Sequence, residues 1–340
     1  MKLLFSFIPM VAMSLNVSNG PLKAINVTPG GQNIGIEIKP GGLIVSGTYN
    51  IELDGKTYNP SDNNILKGDI ITKANDRQVK SIDDFLEVFK NNTDEINNVK
   101  LTIKRKGKFY NRNLKIVKVN SRYKTGLFVK ERLLGIGTVS FYDEETKMYG
   151  ALGHEIVDSS SNDIIDVDEG TIYDSNVTSI KPSENSSPGE KIADIYFDMP
   201  LGEIKANTPL GIYGKYDTLP KGSSSLPIAE LDEIKTGKAE MWTVVNNNKI
   251  EKYEIQITKL HSQTVPETKG IIFKVTDNRL LKLSHGIVAG MSGSPIIQDN
   301  KVVGAVTHVM IDDVDKGYAI YMKWMFETAQ EIYQKYYSNK

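Results

Sequence analysis

Apolar residues in the first part of the chain fall into short alternating pieces. NIGIEI and GGLIVSGTYNI are set apart by the glycine pairs Gly30-Gly31 and Gly41-Gly42. A period of two between glycine turns predicts strands. The chain then turns at Leu66-Lys67-Gly68-Asp69 into the apolar pair Ile70-Ile71, and Ser81 stands where a helix N-cap belongs. Phe85, Leu86 and Phe89 are placed to line one face of a short helix after it. VKLTIKRKGKFYNRNLKIV alternates again on both sides of Lys106-Gly107, the pattern of a hairpin. The predicted order is strand, turn, strand, helix, hairpin.

From about Gly126 onward the pattern changes to many short apolar-alternating runs, among them GIGTVSFYD, KMYGALGHEIVD, GTIYDSNVTSI, EIQITKL, GIIFKVTD and KVVGAVTHVMI. Such runs, with Gly, Asp and Asn between them, predict an all-β barrel or sandwich. Only MKWMFETAQEIYQKYY, at the end, has helical periodicity. At the other end, Met1-Lys2 precedes the apolar run LLFSFIPMVAMSL. One positive residue and about a dozen apolar ones fit a signal peptide and fall short of the roughly 20 residues of a spanning helix. The small-x-small cleavage site is missing, so residues 1–24 are read as a signal peptide or a short retained anchor.

Composition narrows the function. Of 340 residues 39% are hydrophobic and 24% charged, and Lys+Arg 41 against Asp+Glu 42 leaves a net charge of -1. That balance offers no basic surface for nucleic acid. With no cysteine there is no disulfide, no thiol nucleophile and no Cys-ligated zinc. No metal or organic cofactor is implied.

The densest chemical signal is GMSGSPII at residues 290–297. Two serines bracketed by two glycines and a proline suit a hydroxyl that protrudes from a tight bend. The N–H groups of Gly290 and Ser292 could then converge as an oxyanion hole; a plain glycine-rich turn is the alternative. A serine nucleophile needs an imidazole base and a carboxylate that holds its tautomer. Of the four histidines, His154 in ALGHEIVD ends an apolar strand beside a glycine and is the first choice. His308 in VVGAVTHVM reads as a core histidine, and His261 and His285 fall in polar connections. For the acid, Asp158, Asp194, Asp198 and Asp277 all remain open by spacing.

Two resemblances sharpen this. LKGDIITKANDRQVKSIDDFLEVF is similar to a PDZ domain over roughly residues 40–118. PDZ domains bind an extended peptide at a sheet edge, although GGLIVSGTYN is not a clear carboxylate-binding loop. VTPGGQNIGIEI, ALGHEIVD, PGEKIA, GIIFKVTDNRLL and GIVAGMSGSPIIQDNKVVGAVTHVMIDDVDKGYAIYMKWM together resemble the stage IV sporulation protein B (SpoIVB) peptidases from about residue 25 to the C-terminus.

That resemblance implies a mainly β protein with a chymotrypsin-like double β-barrel over residues 119–340, preceded by N-terminal strands and a small α/β PDZ domain over residues 25–118. It assigns Ser292 as nucleophile, His154 as base and Asp277 of the Thr-Asp motif as the acid, with Asp194 in reserve. It implies a serine endopeptidase exported across the forespore membrane into the intermembrane space. There it would cut itself and a membrane-anchored sporulation regulator, leading to activation of a late sigma factor. The PDZ ligand would be a peptide, its own chain included. Met291 stands where trypsin-like zymogens place the aspartate that pairs with a new N-terminus, so that switch is absent. The contrasting reading is a non-catalytic scaffold that only holds a regulator.

Overall fold

The computed structural model describes residues 24–338 except 91–92, 159–160, 185 and 220–223. The expected leader at residues 1–24 lies, but for its last residue, outside the described residues. Three large β assemblies, each closed by its own apolar cluster, and a small hairpin of Ile51–Leu53 and Lys56–Tyr58 account for the sheets of the described residues.

The smallest carries the PDZ-like pattern. Its strands follow the spatial order Arg122–Lys124, Lys108–Val119, Ile96–Arg105, Ile70–Ala74, Leu43–Thr48 and Leu127–Lys130. Helix Ile82–Glu87 begins with a reciprocal capping box: Ser81 Oγ accepts from the Asp84 N–H at 3.0 Å, and Asp84 Oδ2 accepts from the Ser81 N–H at 2.9 Å. Phe85 and Phe89 bury and meet edge to face at 5.4 Å. Leu86, expected beside them, is 49% exposed. A helix of under two turns buries one narrow stripe, and the residue after Phe85 lies about 100° round from it. The hairpin turns at Lys106 and Gly107, both at positive φ, as a two-residue loop between right-twisted strands requires.

The Lys-Gly-Asp turn also has a physical reason. Gly68 takes φ +89, and Asp69 is buried in a two-pronged pair with Arg105: Nε donates to Oδ1 at 2.5 Å and an Nη to Oδ2 at 2.8 Å. Asp69 also accepts from the Leu66 N–H at 2.8 Å, so the carboxylate closes its own turn.

The second assembly corrects the expected boundary between the two regions. Strands Asn26–Pro29 and Asn33–Lys39 hydrogen-bond into the sheet of the ALGH region, although both precede the PDZ-like sheet in sequence. Asn33–Lys39 lies between Leu133–Tyr142 and Glu169–Lys181, and Ile38 pairs with Leu133. Alternating NIGIEI suits either sheet, so periodicity could not choose. Gly30 decides the close approach: a Cβ there would lie 2.1 Å from the Val139 carbonyl oxygen. The remaining strands are Met148–Ala151, Gly211–Lys215, Ala206–Thr208 and Glu190–Glu203, with Leu226–Pro227 on Asn26–Pro29. A bridge between Gly202 and Tyr216 curls this sheet back on itself.

The third assembly is a closed barrel of Gly237–Val244, Ile250–Leu260, Ile271–Val275, Lys316–Tyr321, Lys301–Val309 and Pro295–Gln298. Helix Met322–Tyr336, as its periodicity predicts, lays Met322, Met325, Ala329 and Ile332 into a cluster shared by both larger assemblies. Phe141 and Tyr213 come from one side, Ile297 and Ile320 from the other. The fold is therefore mainly β, with the paired barrel-like halves the sequence implies.

Removing one partner of a buried ion pair strands the other charge. Arg105→Ala should lower stability by about 3–5 kcal/mol in chemical denaturation. Removing Lys39 from its exposed pair with Glu169 should cost less than about 1 kcal/mol.

Candidate active site

The GMSGSP loop meets the other half of the molecule on Thr138, in the Leu133–Tyr142 strand. The Thr138 N–H donates to the Ser292 carbonyl at 3.0 Å, its Oγ1 donates to the Gly290 carbonyl at 2.7 Å, and its own carbonyl accepts from the Leu152 N–H at 3.3 Å. This approach explains the second glycine, since a Cβ on Gly293 would lie 1.9 Å from the Thr138 oxygen. Gly290 takes φ +92. Met291 points into the closed barrel, fully buried, and anchors the loop from below.

Hydrogen bonds on neighbouring carbonyls fix where the two expected anion-binding N–H groups point. In a planar trans peptide the C=O and N–H point in opposite directions. The Ala289 oxygen accepts from the Lys191 N–H at 2.9 Å, which turns the Gly290 N–H away from that strand. The Met291 oxygen accepts from the Ser294 N–H at 3.0 Å, which does the same for Ser292. Among the described residues neither the Gly290 nor the Ser292 N–H donates to a protein acceptor. Preorganised donors of this kind stabilise charge that develops on a substrate oxygen.

His154 is placed by the turn after Met148–Ala151. Leu152 and Gly153 both take positive φ, and a Cβ on Gly153 would lie 2.9 Å from Thr307 in the opposite half. His154 Nδ1 is 2.8 Å from the Glu155 carbonyl oxygen. A carbonyl only accepts, so Nδ1 carries the proton and Nε2 is left as the basic nitrogen. Burial holds the imidazole below its ordinary 6.5, more than offsetting the bond to Glu155, which acts the other way.

His154 and Ser292 line one cavity of about 310 Å³, together with Ile36, Ile38, Leu133, Ile136 and Gly290. In this resting geometry Ser292 Oγ donates to the Thr307 carbonyl at 2.9 Å, and no hydrogen bond joins it to His154 among the described residues. His308, expected in the core, lies instead on the exposed side of its strand, its ring 5.2 Å from that of His154. Alternation could not have signalled this, because residues 302–307 of the strand are all buried and its register with Lys316–Tyr321 shifts between Val306 and His308.

Asp277 stands elsewhere, and the expectation that it orients His154 is not met in this geometry. It is the N-cap of helix Asn278–Ser284: Oδ1 accepts from the Arg279 N–H at 2.8 Å, and Oδ2 accepts from an Arg279 Nη at 2.8 Å and from the Glu254 N–H at 3.3 Å. The Arg279 guanidinium holds its carboxyl at about 2. The helix it starts ends at His285 in the left-handed region and feeds the GMSGSP loop. Asp194, the reserve acid, is exposed and pairs with Asn176 in a long hairpin. Asp198 is exposed on the same strand, and buried Asp158 accepts from the Ser161 N–H at 3.0 Å.

Residues 121–326 match the family described as SpoIVB peptidase S55. That is more than half of the chain. The chain belongs to this family and is a serine peptidase. Residues 53–116, ahead of that match, match a PDZ domain. No curated protein matches the chain. Among solved structures, the active form of the Rv3671c protease from M. tuberculosis is similar at 14% identity and TM-score 0.34, over 59% of this chain and 74% of that one. The HtrA-type protease AlgW with a decapeptide is similar at 14% identity and TM-score 0.34, over 72% of this chain and 66% of that one.

Two outcomes test this site. The base must be neutral to act, and burial disfavours the imidazolium, so activity should persist as pH falls past 6.5 and decline only below it. An acid limb of kcat/KM centred above 6.5 would contradict that. Asp277→Ser keeps a capping oxygen and removes the charge. It should retain most of kcat, whereas a ~10⁴-fold loss would restore Asp277 as the orienting acid.

Proposed function

We propose that this S55 peptidase is an exported endopeptidase that signals during sporulation, cutting its own chain and a membrane-anchored regulator so that a late sigma factor becomes active. The observation that carries the catalytic part is one cavity lined by His154 and Ser292, with two N–H groups held free beside them. Ser292 Oγ attacks the scissile carbonyl while His154 Nε2 takes its proton, and the Gly290 and Ser292 N–H groups receive the oxyanion. Collapse of the tetrahedral intermediate passes the proton from His154 to the leaving amine. Water then repeats the sequence on the acyl-enzyme.

The cavity wall beside His154 is built from Ile36, Ile38, Leu133, Ile136 and Leu152. The leaving amine must reach His154, so the residue that follows the scissile bond lies against this wall. An apolar side chain there suits it. Peptide addition to the PDZ-like sheet is open at its outer strands, because Leu43–Thr48 already pairs with Leu127–Lys130 on one edge and Ile70–Ala74 on the other. Export and the sporulation role are supported by the apolar N-terminal run and by the motif resemblance.

Full-length protein and Ser292→Ala should be compared for self-cleavage and casein hydrolysis, with products read by mass spectrometry. Loss of a nucleophile lowers kcat by about 10⁶ where measured, so the folded variant should be silent. Cut sites followed by Leu, Ile, Val or Phe would support the apolar wall, and equal cleavage by both proteins would end the assignment.

A further inference from the structure

The Glu190–Glu203 strand carries a lysine that the chemistry above leaves unused. Lys191 is 4% exposed and lies in the seam between the two halves. Its Nζ is 3.1 Å from Thr243 Oγ1, 3.3 Å from Thr138 Oγ1 and 3.4 Å from Asn33 Oδ1. These groups come from three different strands, and Gly290 faces its stem: a Cβ there would touch the lysine methylenes at 3.1–3.2 Å. All four are uncharged, and among the described residues no carboxylate pairs with the ammonium. Asn33 is itself fixed, its Nδ2 donating to Ser175 Oγ at 2.8 Å.

A protonated amine donates three hydrogen bonds and accepts none. Thr138 Oγ1, receiving one of them, must direct its own proton elsewhere, and the Gly290 oxygen lies 2.7 Å away. The backbone of the same lysine holds the preceding peptide through the Ala289 oxygen. We propose that Lys191 is a positioning residue of the peptidase: its ammonium sets the direction of the Thr138 hydroxyl and so holds the Gly290–Met291 peptide, while its backbone N–H holds the Ala289–Gly290 peptide, and the two together fix Gly290 with its N–H toward the substrate. This rests on the reading of the Gly290 and Ser292 N–H groups as the oxyanion hole.

The lysine's charge then matters to activity. Burial alone pushes the ammonium down to about 7. Above that the neutral amine gains a lone pair and competes for the Thr138 proton, and the Gly290 carbonyl loses its donor. Activity should therefore show an alkaline limb near neutrality. Stability runs the other way. The unfolded lysine titrates at the ordinary 10.5, so between about 7 and 10.5 the unfolded chain binds more protons and stability rises with pH. The burial cost is complete below about 7.

The test uses the full chain as parent, Lys191→Met, Thr138→Val, Thr138→Ser and Ser292→Ala. Casein hydrolysis and labelling by a fluorophosphonate are followed from about pH 5.5 to about pH 9.5, alongside thermal melts. Lys191→Met should melt several degrees above the parent at pH 6 by an increment that shrinks toward pH 10. Its kcat should nevertheless fall by about 10-fold to 10²-fold with KM unchanged, and its alkaline limb should vanish. Thr138→Val should reproduce the kcat loss, and Thr138→Ser, which keeps the hydroxyl, should not. A folded Lys191→Met with the parent's kcat and alkaline limb overturns the proposal, as do equal rates for the two Thr138 variants. Ser292→Ala separates the two readings: if it still cleaves, the site assignment itself fails. If it is silent while Lys191→Met behaves as the parent, only the role of the lysine fails.

Discussion

The approach of Thr138 to the GMSGSP loop is the contact on which the rest depends. One residue of the first half uses its N–H, its hydroxyl and its carbonyl to hold Ser292, Gly290 and Leu152, of which Leu152 stands two positions before His154. Ser292 and His154 sit on different assemblies, so their relative position is only as exact as this seam. The seam tolerates no side chain at Gly293 and little at Gly153, which faces Thr307 across it. Glycine at both places is a consequence of backbone from one half lying on backbone or side chain from the other.

The strand that carries Thr138 is also the route by which the PDZ-like sheet is attached. Chain leaves the first half at Lys39 and returns at Leu133, and these ends are neighbours because Ile38 pairs with Leu133. The module is thus held at both ends by adjacent strands. Leu133–Ile136 line the cavity, and Thr138 follows two residues later.

What could be read from the sequence follows from how each signal arises. Ser292 and His154, which the structure brings to one cavity, stood out as candidates because both stand beside glycines that the chain needs for close approach, and a glycine out of place in an apolar run is conspicuous. The capping role of Asp277 was not legible because a Thr-Asp pair before a helix reads alike whether its carboxylate orients an imidazole or caps the helix. The N-terminal strands were legible as strands and not as members of a sheet, since a period of two fixes which side chains face inward and is silent about the partner. Lys191 lay within the quoted PGEKIA motif, yet a lysine in an alternating strand ordinarily faces water. Only the three oxygens gathered from distant strands show why it does not.

Met291 gives the seam its other support and bears on control. In trypsin-like zymogens that position is an aspartate and the loop waits for a partner; here the side chain is enclosed in the barrel core. Hydrophobic burial of a methionine stabilises by about 1.5–3 kcal/mol and does not respond to cleavage elsewhere in the chain. The lower face of the loop is therefore set by packing as soon as the barrel closes. Its upper face rests on polar contacts to Thr138 and the Glu190–Glu203 strand, which belong to the first half. Order in the loop is consequently a property of the joined halves, and regulation that acts on this loop must work through the seam.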